Sequence, residues 1–277
     1  MKRVMKRPLK YLLYLSLILL AVICFMPFYL MIVNATRSNG EILSQFRFIP
    51  GTYLLQNFRD MSEIYNVFGA FWNSVFVTVS ATVLTCYVSA LTAFAFAVYR
   101  FRGRNLLFAL VLITMMIPSQ LGILGLYELS AALRILNTYT PLIIPAAAAA
   151  PAVFFIKQYG EIALPPSLIE AARVEGAKEL KIFHAIGLPI LAPAIATMAI
   201  FQFVANWNNY LYPLILLFDP EKYTLPVLIA SMSSSVYDPN LGVLYLAIAV
   251  STMPIMIVFF FCSKFVIAGL TAGAVKE

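Results

Sequence analysis

Six apolar runs, at about residues 11–33, 71–98, 106–126, 140–156, 190–218 and 241–267, constrain everything else in this chain. A helix needs roughly 20 predominantly apolar residues to cross the hydrocarbon of a bilayer, with a range of about 17 to 25. The chain is 62% hydrophobic and 11% charged, against roughly 25% charged in a soluble domain. Water is therefore not its main solvent. The sequence predicts an all-α membrane protein, a single domain over residues 1–277 with six transmembrane helices.

The first run follows Lys2, Arg3, Lys6, Arg7 and Lys10, which resembles the charged start of a signal peptide. The run is too long for an h-region of about 7–15 residues, and no A-x-A site follows it. It reads as an uncleaved span with its amino end in the cytoplasm. Six spans put both termini on that side. Counted on this topology, fourteen Lys and Arg lie inside and five outside (Arg37, Arg47, Arg59, Arg134 and Lys222). That asymmetry fits the positive-inside rule and puts the charged stretch between spans four and five on the cytoplasmic side. The net charge of +7 is scattered between apolar runs rather than gathered on a phosphate-binding face, so nucleic acid is not an expected partner. Cys24, Cys86 and Cys262 lie far apart in apolar segments and read as small buried hydrophobes, not a disulfide framework. His184 has no Cys or His neighbour, so no metal site is expected.

Between the spans, residues 34–69 form a polar, aromatic-flecked loop with a Pro50-Gly51 turn signal. Arg100, Arg102 and Arg104 around Gly103 make a tight basic turn. The third span contains Ile117-Pro118, which a membrane helix tolerates when neighbours satisfy the freed carbonyl. Residues 127–139 read as a short return loop. The alanines from Ala146 to Ala150 in the fourth span allow close helix approach. Residues 219–240 read as another outside loop. Gly269 to Gly273 matches GxxxG, but beyond the last span, in a tail over 268–277, it reads as a soluble contact.

The longest charged stretch is EAARVEGAKELKIFHAIGLPILAP, from Glu170 to Pro193. Leu164-Pro165-Pro166 stops the preceding helix. Ser167 with Glu170 three residues on reads as a capping box. Ile169, Ala172, Gly176, Leu180 and Phe183 then share one face at helical spacing, with charges largely elsewhere. Gly176 costs about 1 kcal/mol against alanine in a helix interior, so a hinge or close contact belongs there. The loop over 165–189 thus predicts a short amphipathic helix, hinged at Gly176, between spans four and five.

No catalytic constellation emerges. The spans carry no charge away from their ends, so no proton relay is evident. There is no GxxxxGK[ST] phosphate loop, so the chain is not expected to hydrolyse ATP; HExxH, paired-cysteine and GxSxG patterns are also lacking. The richest polar cluster in a span is Gln202, Asn206, Trp207, Asn208, Asn209, Tyr210 and Tyr212. Gln202, Asn206 and Asn209 fall near one face. Amides pair with hydroxyls and rings pack on pyranose faces, so this cluster is a candidate solute lining. Interhelical hydrogen bonding with an aromatic belt is the structural alternative. Asn73, Ser74, Thr78 and Thr82 on span two are a second candidate lining.

The order Glu-Ala-Ala, Gly176-Ala177, Leu188-Pro189 and Pro193 closely resembles the EAA loop of ABC-transporter permeases. With Trp72-Asn73-Ser74, the basic turn, Ile117-Pro118, Leu136-Asn137-Thr138, Trp207-Asn208, Pro213-Leu214 and the tail Gly269 to Lys276, the chain resembles the second permease of a maltose-type carbohydrate importer. The similar pieces cover nearly everything from Phe71 onward; Glu277 departs from the family's usual terminal glycine. The resemblance implies a second permease, favoured to be a different chain, two ATP-binding subunits and an extracytoplasmic solute-binding protein. It implies that Glu170, Ala171, Ala172, Gly176 and Ala177 contact the ATPase. It also implies that a tail including Leu270, Thr271, Ala272, Gly273 and Lys276 reaches toward the nucleotide sites. ATP and Mg would be used by the partner, with no cofactor bound by this chain. The expected solute is a sugar, oligosaccharide or glycerol-phosphate-like molecule. An ABC permease for another solute class and an ion-coupled carrier are the alternatives.

Overall fold

The computed structural model describes residues 7–233 and 240–272, with side chains over 10–233 and 240–261. The helices, in chain order, are α1 (Arg7–Ala35), α2 (Asn39–Ser44), α3 (Leu54–Ile64), α4 (Val67–Val98), α5 (Arg104–Met116), α6 (Ile123–Ala132) and α7 (Thr140–Ile143). They continue as α8 (Ala150–Ala163), α9 (Pro166–Val174), α10 (Glu179–Ile182), α11 (Leu188–Trp207), α12 (Leu211–Leu216), α13 (Leu225–Ser233) and α14 (Leu241–Ala272). There is no strand among the described residues. Five helical stretches are long and apolar enough to cross a membrane, or six if the bent pair α5–α6 counts as one. The fold is that of an all-α, multi-pass membrane protein.

The chain divides into two compact units. The first comprises residues 1–68 and 229–253. In it, α1 carries exposed Leu, Ile, Phe and Tyr from Tyr11 to Ile32, as a lipid-facing helix requires. Cys24 is exposed there, so it is not the buried hydrophobe expected. The end of α1 leaves carbonyls without helical partners. Buried Asn57 of α3 supplies donors: its Nδ2 bonds the carbonyls of Ala35 and Arg37, each at 2.9 Å. The segment expected to be a plain loop thus holds two helices. A complete capping box starts the first of them, with Ser38 accepting from the Glu41 amide and Glu41 accepting from the Ser38 amide.

The second unit comprises residues 69–228 and 254–277. A column of buried hydroxyls runs down α4: Ser74, Thr78, Thr82, Thr85 and Ser89. Thr85 Oγ1 donates to the Ala146 carbonyl at 2.6 Å, where the fourth span is interrupted between α7 and α8 near Pro145 and Pro151. Ser74 Oγ accepts the Leu225 amide at 2.7 Å. The third span is not one helix. The chain turns by 95° between α5 and α6 at Ile117-Pro118, because proline removes a donor and biases its predecessor to extended backbone; Ile117 has ψ 122°. The fifth span stops at Trp207 rather than continuing to Phe218, and α12 is a separate short helix. At the other end α14 runs to Ala272, so Gly269, Leu270, Thr271 and Ala272 extend the last helix instead of forming a tail. Gly273 and Lys276 lie outside the described residues.

The core of this unit is Phe94, Ile156, Ile169, Ile182, Phe183 and Leu191 with their neighbours. A π turn at Phe183–Gly187 joins α10 to α11. At Gly187 a Cβ would come within 2.7 Å of the Phe94 ring. Glycine is what lets span five approach that ring.

Candidate functional site

Two places in the second unit gather the residues singled out by sequence. The first is built around α9. Its start is not the expected capping box: the helix begins at Pro166, preceded by Pro165, and no side chain caps it. Proline at the first helical position already has the required φ, and its missing amide is one that would be left without a helical partner anyway. Ser167 is exposed inside the first turn. The hinge expected at Gly176 is a full helix stop. Gly176 has φ +80°, its amide bonds the Arg173 carbonyl at 2.9 Å, and the Ala177 amide bonds the Ala172 carbonyl at 3.0 Å. That pair of bonds is the Schellman motif, in which glycine takes the left-handed position. One predicted helix is therefore two.

The stop re-phases the apolar face. Ile169 is buried, and Ala172 and Ala177 pack against the core. Leu180 is 60% exposed, and Ile182 takes the buried position instead. Glu170, Ala171 and Gly176 are exposed, as is Val174 at 90%.

The reversal at Gly176 brings Arg173 and Glu179 together. Arg173 Nε and Nη2 donate to Glu179 Oε1 and Oε2 at 2.8 and 3.3 Å. The Tyr99 hydroxyl, just past α4, donates to Glu179 Oε2 at 2.5 Å. The Arg173 guanidinium lies 5.4 Å from the Tyr99 ring centre, within cation–π range. Burial, and then the bond to the Glu179 carboxylate, push the Tyr99 phenol above its ordinary pKa. Beside this node, Glu161 of α8 accepts from Arg104 at 3.0 Å and Lys157 at 2.7 Å, joining the basic turn to span four. An open hollow of about 1190 Å³ lies here, with Tyr99, Arg104, Glu161, Glu170, Arg173 and Glu179 among its lining. Sequence reasoning missed Tyr99, Glu161 and the Arg173–Glu179 pair. The only available signal was opposite charges flanking a glycine.

The second place is a hollow of about 610 Å³ at the far end of α11. Gln202, Asn206 and Asn209 all line it, joined by Ser119 and Gln120 from the bend in span three and by Tyr212 of α12. The Tyr212 hydroxyl donates to the Ser119 carbonyl at 2.7 Å, and the Tyr212 amide donates to Asn209 Oδ1 at 3.4 Å. These bonds tie the start of α12 to the bend in span three and to the turn after α11. Asn208 and Tyr210 also line it, and no lining residue is charged. Trp207 is instead buried against Phe203 and Phe71. Asn73 donates to the carbonyls of Glu221 and Tyr223 at 2.8 and 3.1 Å. Thr78 is buried. Neither Asn73 nor Thr78 lines this hollow: the span-two candidates serve helix and loop contacts. His184 bonds the Leu180 carbonyl and lies 3.2 Å from the Tyr87 hydroxyl. Among the described residues no group of three His, Cys, Asp or Glu could hold a metal ion.

Six possible spans, an exposed inter-span helix ending on glycine and an uncharged polar hollow define a membrane permease subunit. Residues 87–271 match the family of binding-protein-dependent transport system inner membrane components, and the chain belongs to that family. It is a transport subunit, not an enzyme. It is 38% identical over 283 residues to the arabinooligosaccharides transport system permease protein AraQ of Halalkalibacterium halodurans, covering 100% of both chains. It is 31% identical over 263 residues to the lactose transport system permease protein LacG of Rhizobium radiobacter, covering 95% of each. Against the sn-glycerol-3-phosphate transport system permease protein UgpE of Salmonella typhi it is 36% identical over 207 residues, covering 72% of this chain and 73% of that one. The solved structure of a bacterial ABC transporter that imports the acidic polysaccharide alginate matches with a TM-score of 0.82 at 22% identity, covering 93% of this chain and 96% of that chain. That likeness establishes the shared fold.

Proposed function

We propose that this chain forms half of the translocation pathway of an ATP-driven ABC importer for a sugar, oligosaccharide or glycerol-phosphate-like solute. The observation that carries the reading is a continuous apolar helical stretch from Glu179 to Trp207, 29 residues long. At 1.5 Å per residue it spans about 43 Å. One end bears Glu179, tied to the exposed helix α9; the other bears Asn206 and opens on the amide-lined hollow. A displacement of α9 by an ATPase is thereby applied to the rod that lines the solute site.

On this reading α9 and Gly176-Ala177 sit in the cytoplasm and dock into one of two ATP-binding subunits, which handle ATP and Mg; this chain binds no cofactor. Both termini are cytoplasmic, a second permease of different sequence completes the pathway, and a solute-binding protein delivers cargo from outside. The hollow offers carboxamides and hydroxyls, the groups that pair with sugar hydroxyls, and Tyr210 and Tyr212 supply ring faces.

The test is to tag the chain, extract it gently from native membranes and identify what co-purifies. An ATPase present with the native chain and lost with Gly176→Asp, together with loss of uptake, supports the docking assignment. A chain that purifies alone and takes up solute without ATP makes an ion-coupled carrier the better description.

A further inference from the structure

The segment after α1 does not stand off from the membrane. Its backbone folds back along the helix it has just left. The Tyr29 hydroxyl donates to the Phe48 carbonyl at 2.6 Å, Arg37 Nη2 donates to the Ile49 carbonyl at 2.6 Å, and Thr36 Oγ1 accepts the Gly51 amide at 2.7 Å. The Tyr53 amide then bonds the Thr36 carbonyl at 2.8 Å. Tyr29 lies six residues before the end of α1 at Ala35, which at 1.5 Å per residue is about 9 Å below it. Phe48 is therefore pinned at the depth of the last two turns of an apolar span.

Around that pin the segment presents exposed apolar side chains. Leu43 is 72% exposed, Phe46 73% and Ile49 75%, and the Phe46 and Phe48 rings meet edge to face at 5.1 Å. On α1 itself Phe25, Phe28 and Ile32 are exposed, so the helix to which the segment is pinned is apolar on its surface as well. Arg47 falls between Phe46 and Phe48 in the sequence and is exposed. It lines, with Arg37, Glu41, Ser44 and Gln45, a polar hollow of about 490 Å³ that adjoins the ridge at Ile49 and Pro50. Aromatic side chains beside a long basic one are suited to the boundary between headgroup and acyl chain: rings take the apolar side and arginine reaches the phosphate.

We infer that residues 43–49 are an interfacial anchor, seated in the outer leaflet against phospholipid, with Leu43, Phe46 and Ile49 among the acyl chains and Arg47 at the phosphates. The segment fixes the exit of span one at a set depth. It reads in sequence as a loop because its apolar residues come in ones and twos between polar ones, too few to span; only the backbone pins to α1 bring the ridge down to the bilayer.

The test places benzoylphenylalanine at position 46 or 49 of the full chain, assembled in its native membrane, and identifies the products of irradiation. Ile18, within α1, is the lipid-facing control, and Glu63, exposed on α3, is the aqueous control. Phospholipid adducts at 46 and 49, in yield within about twofold of position 18 and well above position 63, are the expected result. A dominant crosslink to another permease or to the solute-binding protein overturns the assignment and makes the ridge a protein interface. So does a yield at 46 and 49 no higher than at 63. A Tyr29→Phe chain removes the pin without touching the ridge; it should lower the lipid adduct at 46 several-fold and leave position 18 unchanged. An unchanged yield at 46 would show that the pin does not set the depth.

Discussion

The two ends of the Glu179–Trp207 rod are built on opposite principles. At the α9 end, the contacts are charged, exposed and on the surface: Arg173 and Glu179 keep 37% and 50% of their side-chain area open. Exposed pairs of this kind contribute only about 0.2–1 kcal/mol. At the other end the hollow is uncharged, and the Tyr212 hydroxyl and amide tie its wall to Ser119 and Asn209. The difference teaches where each end draws its specificity. Near water, weak charges can break and re-form, and shape is set by a glycine. Within an apolar span a charge would be costly, and the polar groups gathered there are uncharged amides and hydroxyls.

The largest effect should therefore come from backbone shape at the α9 end. Gly176→Asp should abolish uptake while leaving membrane insertion intact, as read by membrane fractionation and transport in vesicles. Gly176→Asn tolerates the left-handed backbone better and should retain measurable uptake. Equal loss in both would mean that surface bulk, not φ, governs this end.

At the hollow, Gln202→Ala with Asn206→Ala should lower uptake about tenfold, which corresponds to about 1.4 kcal/mol of lost recognition, with the ATPase still co-purifying. If the ATPase were lost instead, the two ends would not be separable in the way the rod implies.

A smaller effect is expected from the charged node. Glu179→Gln should reduce coupled uptake by about threefold, in keeping with the worth of an exposed pair, while the thermal midpoint in detergent stays unchanged. A large fall in the midpoint would make the node a structural brace.

Smallest of all should be Ser167→Ala, since that side chain caps nothing. Ser38→Ala, by contrast, removes a true cap and should cost about 1 kcal/mol in thermal unfolding of the purified chain.

These two serines show how far the sequence could be read. Ser38 to Glu41 and Ser167 to Glu170 have the same Ser-x-x-Glu pattern, yet only the first forms the box. The second is pre-empted by Pro165-Pro166, which start the helix at Pro166 and leave Ser167 inside its first turn rather than at the cap. Similarly, Leu180 follows the helical period of Ile169 and Ala172 on paper. The left-handed Gly176 breaks the phase, so Ile182 is buried in its place. Proline at Ile117-Pro118 was legible as a membrane-helix proline, but not as a bend of 95°, since the same residue kinks or breaks a helix according to what its neighbours satisfy.

By itself the sequence determined that this is an all-α membrane chain, that a polar helix separates its fourth and fifth spans, and that amides cluster on the fifth. Those features follow from composition and local period, which act within a turn or two of helix. Tertiary structure decided that Tyr99, Arg173 and Glu179 meet, that Gln202, Asn206 and Asn209 share a wall with Ser119 and Gln120, and that Asn73 does not. Those outcomes depend on where the chain stops and reverses, which brings together groups far apart in sequence, as Asn73 and Tyr223 are at a separation of 150 residues. No local pattern encodes such a meeting.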